Sequence, residues 1–167
     1  MSSNSWLAVI GSREVDDRVR GDIEKFVAAK IAGGCGIVSG GATGADHEAA
    51  RLAYAAGLEA ERFRIYLPTG LKIYAAALRA RAKTGKCDPK DAKETVALLQ
   101  KIAKEKPGVI VENNFLRADE TSFFARDRQI ASLADELVAF RVGNSPGTTY
   151  TIGQAELKGI PTKVFDY

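Results

Sequence analysis

Apolar positions along this chain follow two spacings that alternate. Short, nearly unbroken apolar runs, "WLAVIGS" (6–12), "GIVSG" (36–40), "RFRIYLP" (62–68), "ELVAF" (136–140) and "PTKVFDY" (161–167), predict strands of a buried parallel sheet. Between them apolar residues recur every three or four positions. Val19, Ile23, Phe26, Val27 and Ile31 predict one helix, with Asp16 and Asp17 at its positive end. Ala45, Ala49, Leu52, Ala53 and Ala56 predict the next, stopped by Gly57 in left-handed geometry. A third runs from a Ser122 cap to about Leu133, and "TYTIGQAELKG" (149–159) predicts a short fourth with Thr148 as its cap.

One segment departs from this rhythm. Leu71, Tyr74, Ala75 and Leu78 mark one helical face. Asp88 and Pro89 open a second helix as N-cap and first-turn residue, continued by Val96, Leu99, Ile102 and Ala103 and ended by "KPG". The pair is longer than an ordinary crossover, so residues 69–107 read as an inserted helical hairpin, with "GVIVEN" a short strand beside it. The whole predicts an α/β fold: a Rossmann-like open parallel sheet with helices on both faces, forming one domain over residues 1–167.

Composition narrows the classes. Hydrophobic residues at 46% and charged residues at 27% are ordinary for a globular protein. No apolar run approaches the roughly 20 residues of a membrane helix. "MSSNSWLAVIGS" lacks a basic region before an apolar core, so a cytoplasmic protein without a membrane partner is expected. Cys35 and Cys87 make no disulfide framework, the single His excludes sites built on several imidazoles, and no metal site is expected. The net charge of +3 says little by itself. Its distribution says more: residues 69–107 hold ten Lys/Arg against four Asp/Glu.

In an open parallel sheet, ligands bind where C-terminal strand ends meet helix N-termini. Three glycine-containing turns fall there: Gly11, Ser12 and Arg13; Ser39, Gly40, Gly41, Ala42, Thr43, Gly44 and Asp46; and "NSPGTT", with Gly147, Thr148 and Thr149. Backbone N–H groups and hydroxyls at positive helix ends favour an anion such as phosphate. Glycine at 40 and 41 is expected to allow positive φ and close approach of a ligand, and Gly44 to bring the helix start near the strand. Asp46 suits free N–H groups or a ribose hydroxyl; the plain alternative is a tight turn with a dipole-compensating acid.

Arg126 lies on the apolar stripe of Phe123, Ile130 and Leu133, whereas Arg128, rotated about 200°, faces solvent. A buried arginine needs a partner: a core carboxylate or a ligand phosphate. His47 reads as a rim residue and Cys35 as a small residue before a strand.

Together "VIGSR", "VSGGATGADHEAARLAYAAG", "FFARDRQIASLADELVAF" and "SPGTTYTIGQAELKGIPTKVF" resemble the SLOG superfamily. Its Rossmann-like members include the lonely-guy phosphoribohydrolases, the DNA-processing protein A fold, molybdenum-cofactor carriers and YspA-like proteins. The similarity is nearest to YspA-like and phage-type members and covers roughly 6–68 and 120–166, outside the basic hairpin. It implies a nucleotide or ADP-ribose-like ligand at the sheet's C-terminal edge, with no other cofactor, and a homodimer. Phosphoribohydrolase members carry a catalytic glutamate where Thr151 stands here, and threonine cannot act as a carboxylate base. Asp127 replaces the Asn often found after the arginine in YspA-like members.

The resemblance therefore favours a nucleotide sensor or handler. An N-glycosidase using Asp46, Asp119, Glu120 or Asp127 is an alternative. So is a single-stranded DNA-binding module using the hairpin, where Tyr74 is the sole aromatic within the basic stretch. A molybdenum-cofactor carrier is a further one.

Overall fold

The computed structural model describes residues 5–167; Met1 to Asn4, the start of the N-terminal stretch read above, lie outside them. Six strands and six helices follow one another as β1 (Trp6–Gly11), α1 (Asp17–Ala32), β2 (Gly36–Gly40), α2 (Ala45–Ala55), β3 (Phe63–Tyr66), α3 (Leu71–Lys83), α4 (Pro89–Glu105), β4 (Ile110–Val111), α5 (Glu120–Leu133), β5 (Glu136–Arg141), α6 (Pro146–Leu157) and β6 (Thr162–Asp166). All strand pairs are parallel, in the order β4-β3-β2-β1-β5-β6. This is the Rossmann-like α/β fold that the alternating spacings predict.

Side-chain alternation sorts the core into two layers. Leu7, Val9, Ile37, Val138 and Phe140 point to the face covered by α1, α2 and the α3–α4 hairpin. Ala8, Ile10, Val38, Leu137 and Ala139 point to the opposite face, against Ile130 of α5 and Ile152 and Ala155 of α6. Central strands buried on both faces carry continuous apolar runs because neither side meets water. The hairpin is the crossover from β3 to β4, and Val96, Leu99 and Ile102 of α4 join the main core.

Two expected caps move and a third holds. Helix α5 begins at Glu120, not at Ser122: Asp119 is its N-cap, and Ser122 is the third helical residue of a reciprocal capping box. Helix α6 begins at Pro146, so Ser145 rather than Thr148 is its N-cap. Gly57 does take positive φ, one residue beyond the Ala56 cap. No helix among the described residues is long and apolar enough to cross a membrane.

Candidate functional site

The strand order reverses after β1: the chain builds outward through β2, β3 and β4, then returns to β5 on the other side. Loops diverge at such a switch and leave a crevice outside the strand ends. Here a cleft of about 450 Å³ opens between the ends of β1 and β5. Ser12 closes its base, accepting a hydrogen bond from the Val142 N–H at 2.8 Å.

The cleft collects Gly11, Ser12, Arg13, Ala42, Asp46, Arg126, Gly147 and Thr148 from the expected set. It does not collect Ser39, Gly40, Gly41, Thr43, Gly44 or Thr149. Ser39 is buried and donates to the Val9 carbonyl at 2.7 Å. Thr43 donates to the Arg13 carbonyl at 3.0 Å, which ties two loops together. Thr149 is turned away and accepts from Arg141 at 3.2 Å.

Positive φ, expected at Gly40 and Gly41, is absent there, and the missing side chains make room for packing. Gly44 alone of the three has positive φ, at 77°. A Cβ on Gly40 would lie 2.6 Å from Asp46 Oδ2 and 3.2 Å from Arg126 Cζ. The missing side chain is therefore the space in which that carboxylate and guanidinium meet. A Cβ on Gly41 would strike Leu67 at 2.4 Å, on the core side. Gly44 does bring the α2 start against the Ser12–Arg13 backbone, as expected.

Arg126 is 6% exposed. Its Nε donates to Asp127 Oδ1 at 3.1 Å, so its carboxylate partner is the adjacent residue rather than a distant one. Its Nη1 is buried and has no partner. Burial works against the charge, but Asp127, Tyr74 and Asp46 outweigh it and hold the guanidinium above its ordinary pKa. Arg13 lies over the Phe123 ring at 4.9 Å, and Arg126 over the same ring at 5.3 Å. Burial lowers the Arg13 pKa, and the nearby Arg81 and Arg126 charges push the same way.

The three turns differ as anion sites. Helix α1 is closed by Asp16, which accepts from the Val19 N–H at 2.9 Å. In the second turn Asp46 takes the Ala42 N–H at 3.2 Å. Only α6 of the three presents its first turn to the cleft with no side-chain carboxylate on it: Ser145 makes no cap bond and instead pairs with the Thr148 hydroxyl at 2.8 Å. A positive helix end beside an arginine with a free donor favours a phosphate oxygen.

Of the four carboxylates named as acid candidates, Asp46 and Asp127 line the cleft, while Asp119 caps α5. Thr151 also lines it, donating to the Gly147 carbonyl at 3.1 Å. Burial pushes the Asp46 pKa from 3.8 to about 6, against the pull of Arg126 and the Ala42 N–H. A raised folded-state pKa means that stability falls as pH rises from about 4 to 6, by on the order of 3 kcal/mol. Asp46→Asn is therefore expected to gain on the parent across that window, and chemical melts at pH 4 and 7 read the change. An equal difference at both pH values would refute this account of Asp46.

Arg81 and Lys86 of the hairpin line the cleft too, and sequence reasoning missed them. The signal existed: Tyr74, Leu78 and Arg81 fall at i, i+4 and i+7, which places Arg81 on the buried stripe as Arg126 is in α5. Tyr74 itself is buried and offers no stacking face. Two half-buried aromatics, Phe124 and Tyr150, stack at 4.0 Å in an adjoining groove that shares Asn144 and Pro146 with the cleft. His47 is half-buried between α2 and α4, bonded to the Thr95 hydroxyl at 3.1 Å. Among the described residues no three His, Cys, Asp or Glu side chains gather as for a metal ion.

Residues 1–165 match the DNA recombination-mediator protein A family. The fold is shared with DNA processing protein A from Helicobacter pylori, solved for its single-stranded DNA binding mode (TM-score 0.70, 23% identity). It is also shared with DNA processing protein A from Streptococcus pneumoniae (TM-score 0.53, 20% identity). Each alignment covers 97% of this chain, which spans 65% and 58% of those two chains. No curated protein matches it.

Proposed function

Because this chain belongs to the DNA recombination-mediator protein A family, we propose that it binds single-stranded DNA, with a backbone phosphate seated in the cleft between β1 and β5. The observation that carries this is the buried, unpartnered Nη1 of Arg126 beside the uncapped start of α6. A phosphodiester supplies the acceptor that Nη1 lacks and meets the N–H groups of the α6 first turn. Arg13 adds charge beside it, over the Phe123 ring that Arg126 also covers. The Phe124–Tyr150 groove gives neighbouring bases an apolar, aromatic surface next to the phosphate seat. The Helicobacter relative, described by its single-stranded DNA binding mode, supports a strand over a duplex as ligand.

The test is a titration of the full chain with an oligothymidylate and with a duplex of the same length. The single strand is expected to bind more tightly, with log K falling against log[salt] by about 0.7 for each phosphate held. Absence of a complex at low salt would remove this reading.

A free nucleotide is the second reading, favoured by the same seat, since an enclosed phosphate site accepts a mononucleotide as readily as one strand position. Stabilisation by nucleoside monophosphates without any binding of oligothymidylate would select it. A YspA-like role belongs with this second reading.

A further inference from the structure

The cleft carries cations on more than the wall that holds Arg126. Arg13, Arg81, Arg126 and Lys86 all line it. Among the described residues, Arg126 alone of these four is in an ion pair, with Asp127. Asp46 is the carboxylate that meets the Arg126 guanidinium over Gly40, so its charge sits on the Arg126 side of the cleft. The remaining carboxylate is Glu14, exposed at the rim. The Arg81 and Arg126 guanidiniums both lie within electrostatic reach of Arg13; burial, the larger cause, and these two charges lower its pKa.

The hairpin turn presents two of these cations together. From Leu71 to Cys87 the chain carries five Lys/Arg and no Asp/Glu. Three of them, Lys72, Arg79 and Lys83, follow one exposed line along α3. Arg81 points instead along the Tyr74–Leu78 stripe into the cleft. Gly85, at φ 73°, reverses the chain, and the Lys86 N–H bonds back to the Arg81 carbonyl at 2.9 Å. The turn therefore holds a guanidinium and an ammonium on the wall formed by the hairpin, whereas Arg126 and α6 belong to the other face of the sheet.

We propose that Arg81 and Lys86 hold a second phosphate of the strand, next to the one at Arg126 and the α6 start, so that the cleft recognises a phosphate–sugar–phosphate step rather than a lone nucleotide. This rests on the single-strand reading above. It assigns the basic hairpin a role in ligand choice: a mononucleotide leaves the Arg81–Lys86 wall unneutralised, and a strand fills it.

The experiment compares the parent chain with Arg81→Gln/Lys86→Gln. The ligands are thymidine 5′-monophosphate, thymidine 3′,5′-bisphosphate and an eight-residue oligothymidylate. The parent is expected to prefer the bisphosphate over the monophosphate by about tenfold or more. The double variant should lose that preference, keep its monophosphate affinity, and bind the oligonucleotide with a salt slope shallower by about 0.7. A double variant that retains the preference, or that weakens both small ligands equally, overturns the second phosphate position while leaving the cleft as a phosphate seat. A parent chain that binds none of the three ligands fells the single-strand reading and this proposal with it. Lys86→Gln alone, at an exposed turn position, carries the same test if the double variant melts lower than the parent.

Discussion

Replacing Arg126 with alanine is expected to do two things at once: weaken single-stranded DNA binding roughly ten- to hundredfold and destabilise the fold by about 3–5 kcal/mol. The binding loss follows from removing a charged donor pair at the phosphate seat. The stability loss follows from what remains. Asp127 and Asp46 are both buried, and the guanidinium is the cation beside them. Without it one carboxyl must stay protonated, so the stability lost should shrink as the pH falls below the raised Asp46 pKa. Arg126→Lys separates the two effects, because it retains a charge near Asp127 but cannot present the planar fork. Denaturant melts and oligothymidylate titrations, run on the same preparations, give both numbers. Alanine at 126 with unchanged affinity would place the phosphate elsewhere.

The second large effect is expected at Gly44. Its φ of 77° with ψ of −125° is a conformation closed to other residues, and a Cβ there would lie 2.2 Å from the Ser12 carbonyl oxygen. Backbone strain and the forced shift of the Ser12–Arg13 loop together should cost Gly44→Ala about 2–6 kcal/mol. That shift also breaks the bond from the Ala45 N–H to the Ser12 carbonyl, now 3.1 Å, and opens the floor of the cleft. Gly153→Ala is the control: it sits inside α6 with nothing within 4 Å of a new Cβ, so it should be neutral or stabilising by up to about 1 kcal/mol. A denaturation midpoint for Gly44→Ala that matches the parent would show that the loop yields freely.

How far the sequence anticipates these features depends on how local their causes are. Strand β2 and the start of α4 at Pro89 coincide with expectation because runs, caps and first-turn prolines act through neighbouring residues. The start of α5 slipped because Asp119 and Ser122 are both good caps, and their reciprocal bonding decides between them only in three dimensions. Gly40 and Gly41 look like ligand-facing glycines in sequence. Their cause is tertiary: one makes room for Arg126 and Asp46, the other for Leu67. The burial of Arg126 was legible from its helical stripe, but its partner was sought at a distance when it is the next residue. Arg81 is hidden in the hairpin's summed charge, which does not distinguish the cation on the buried side of α3 from those on its exposed side.

The reversal of strand order after β1 has a consequence for how the molecule is made. Strand β1 is synthesised first and gains β2 and α2 as neighbours early, yet its other edge pairs only with β5. The bond from the Trp6 N–H to Asp135 spans 129 residues, and that between Ser12 and Val142 spans 130. Until β5 emerges from the ribosome, the central strand has one open, apolar edge and the cleft has a single wall. Arg126 also emerges long after Asp46, the carboxylate it meets across the sheet. The proposed phosphate seat is thus completed late in translation and all at once. The half-made chain, with its free strand edge, is the form most exposed to unproductive pairing with another copy.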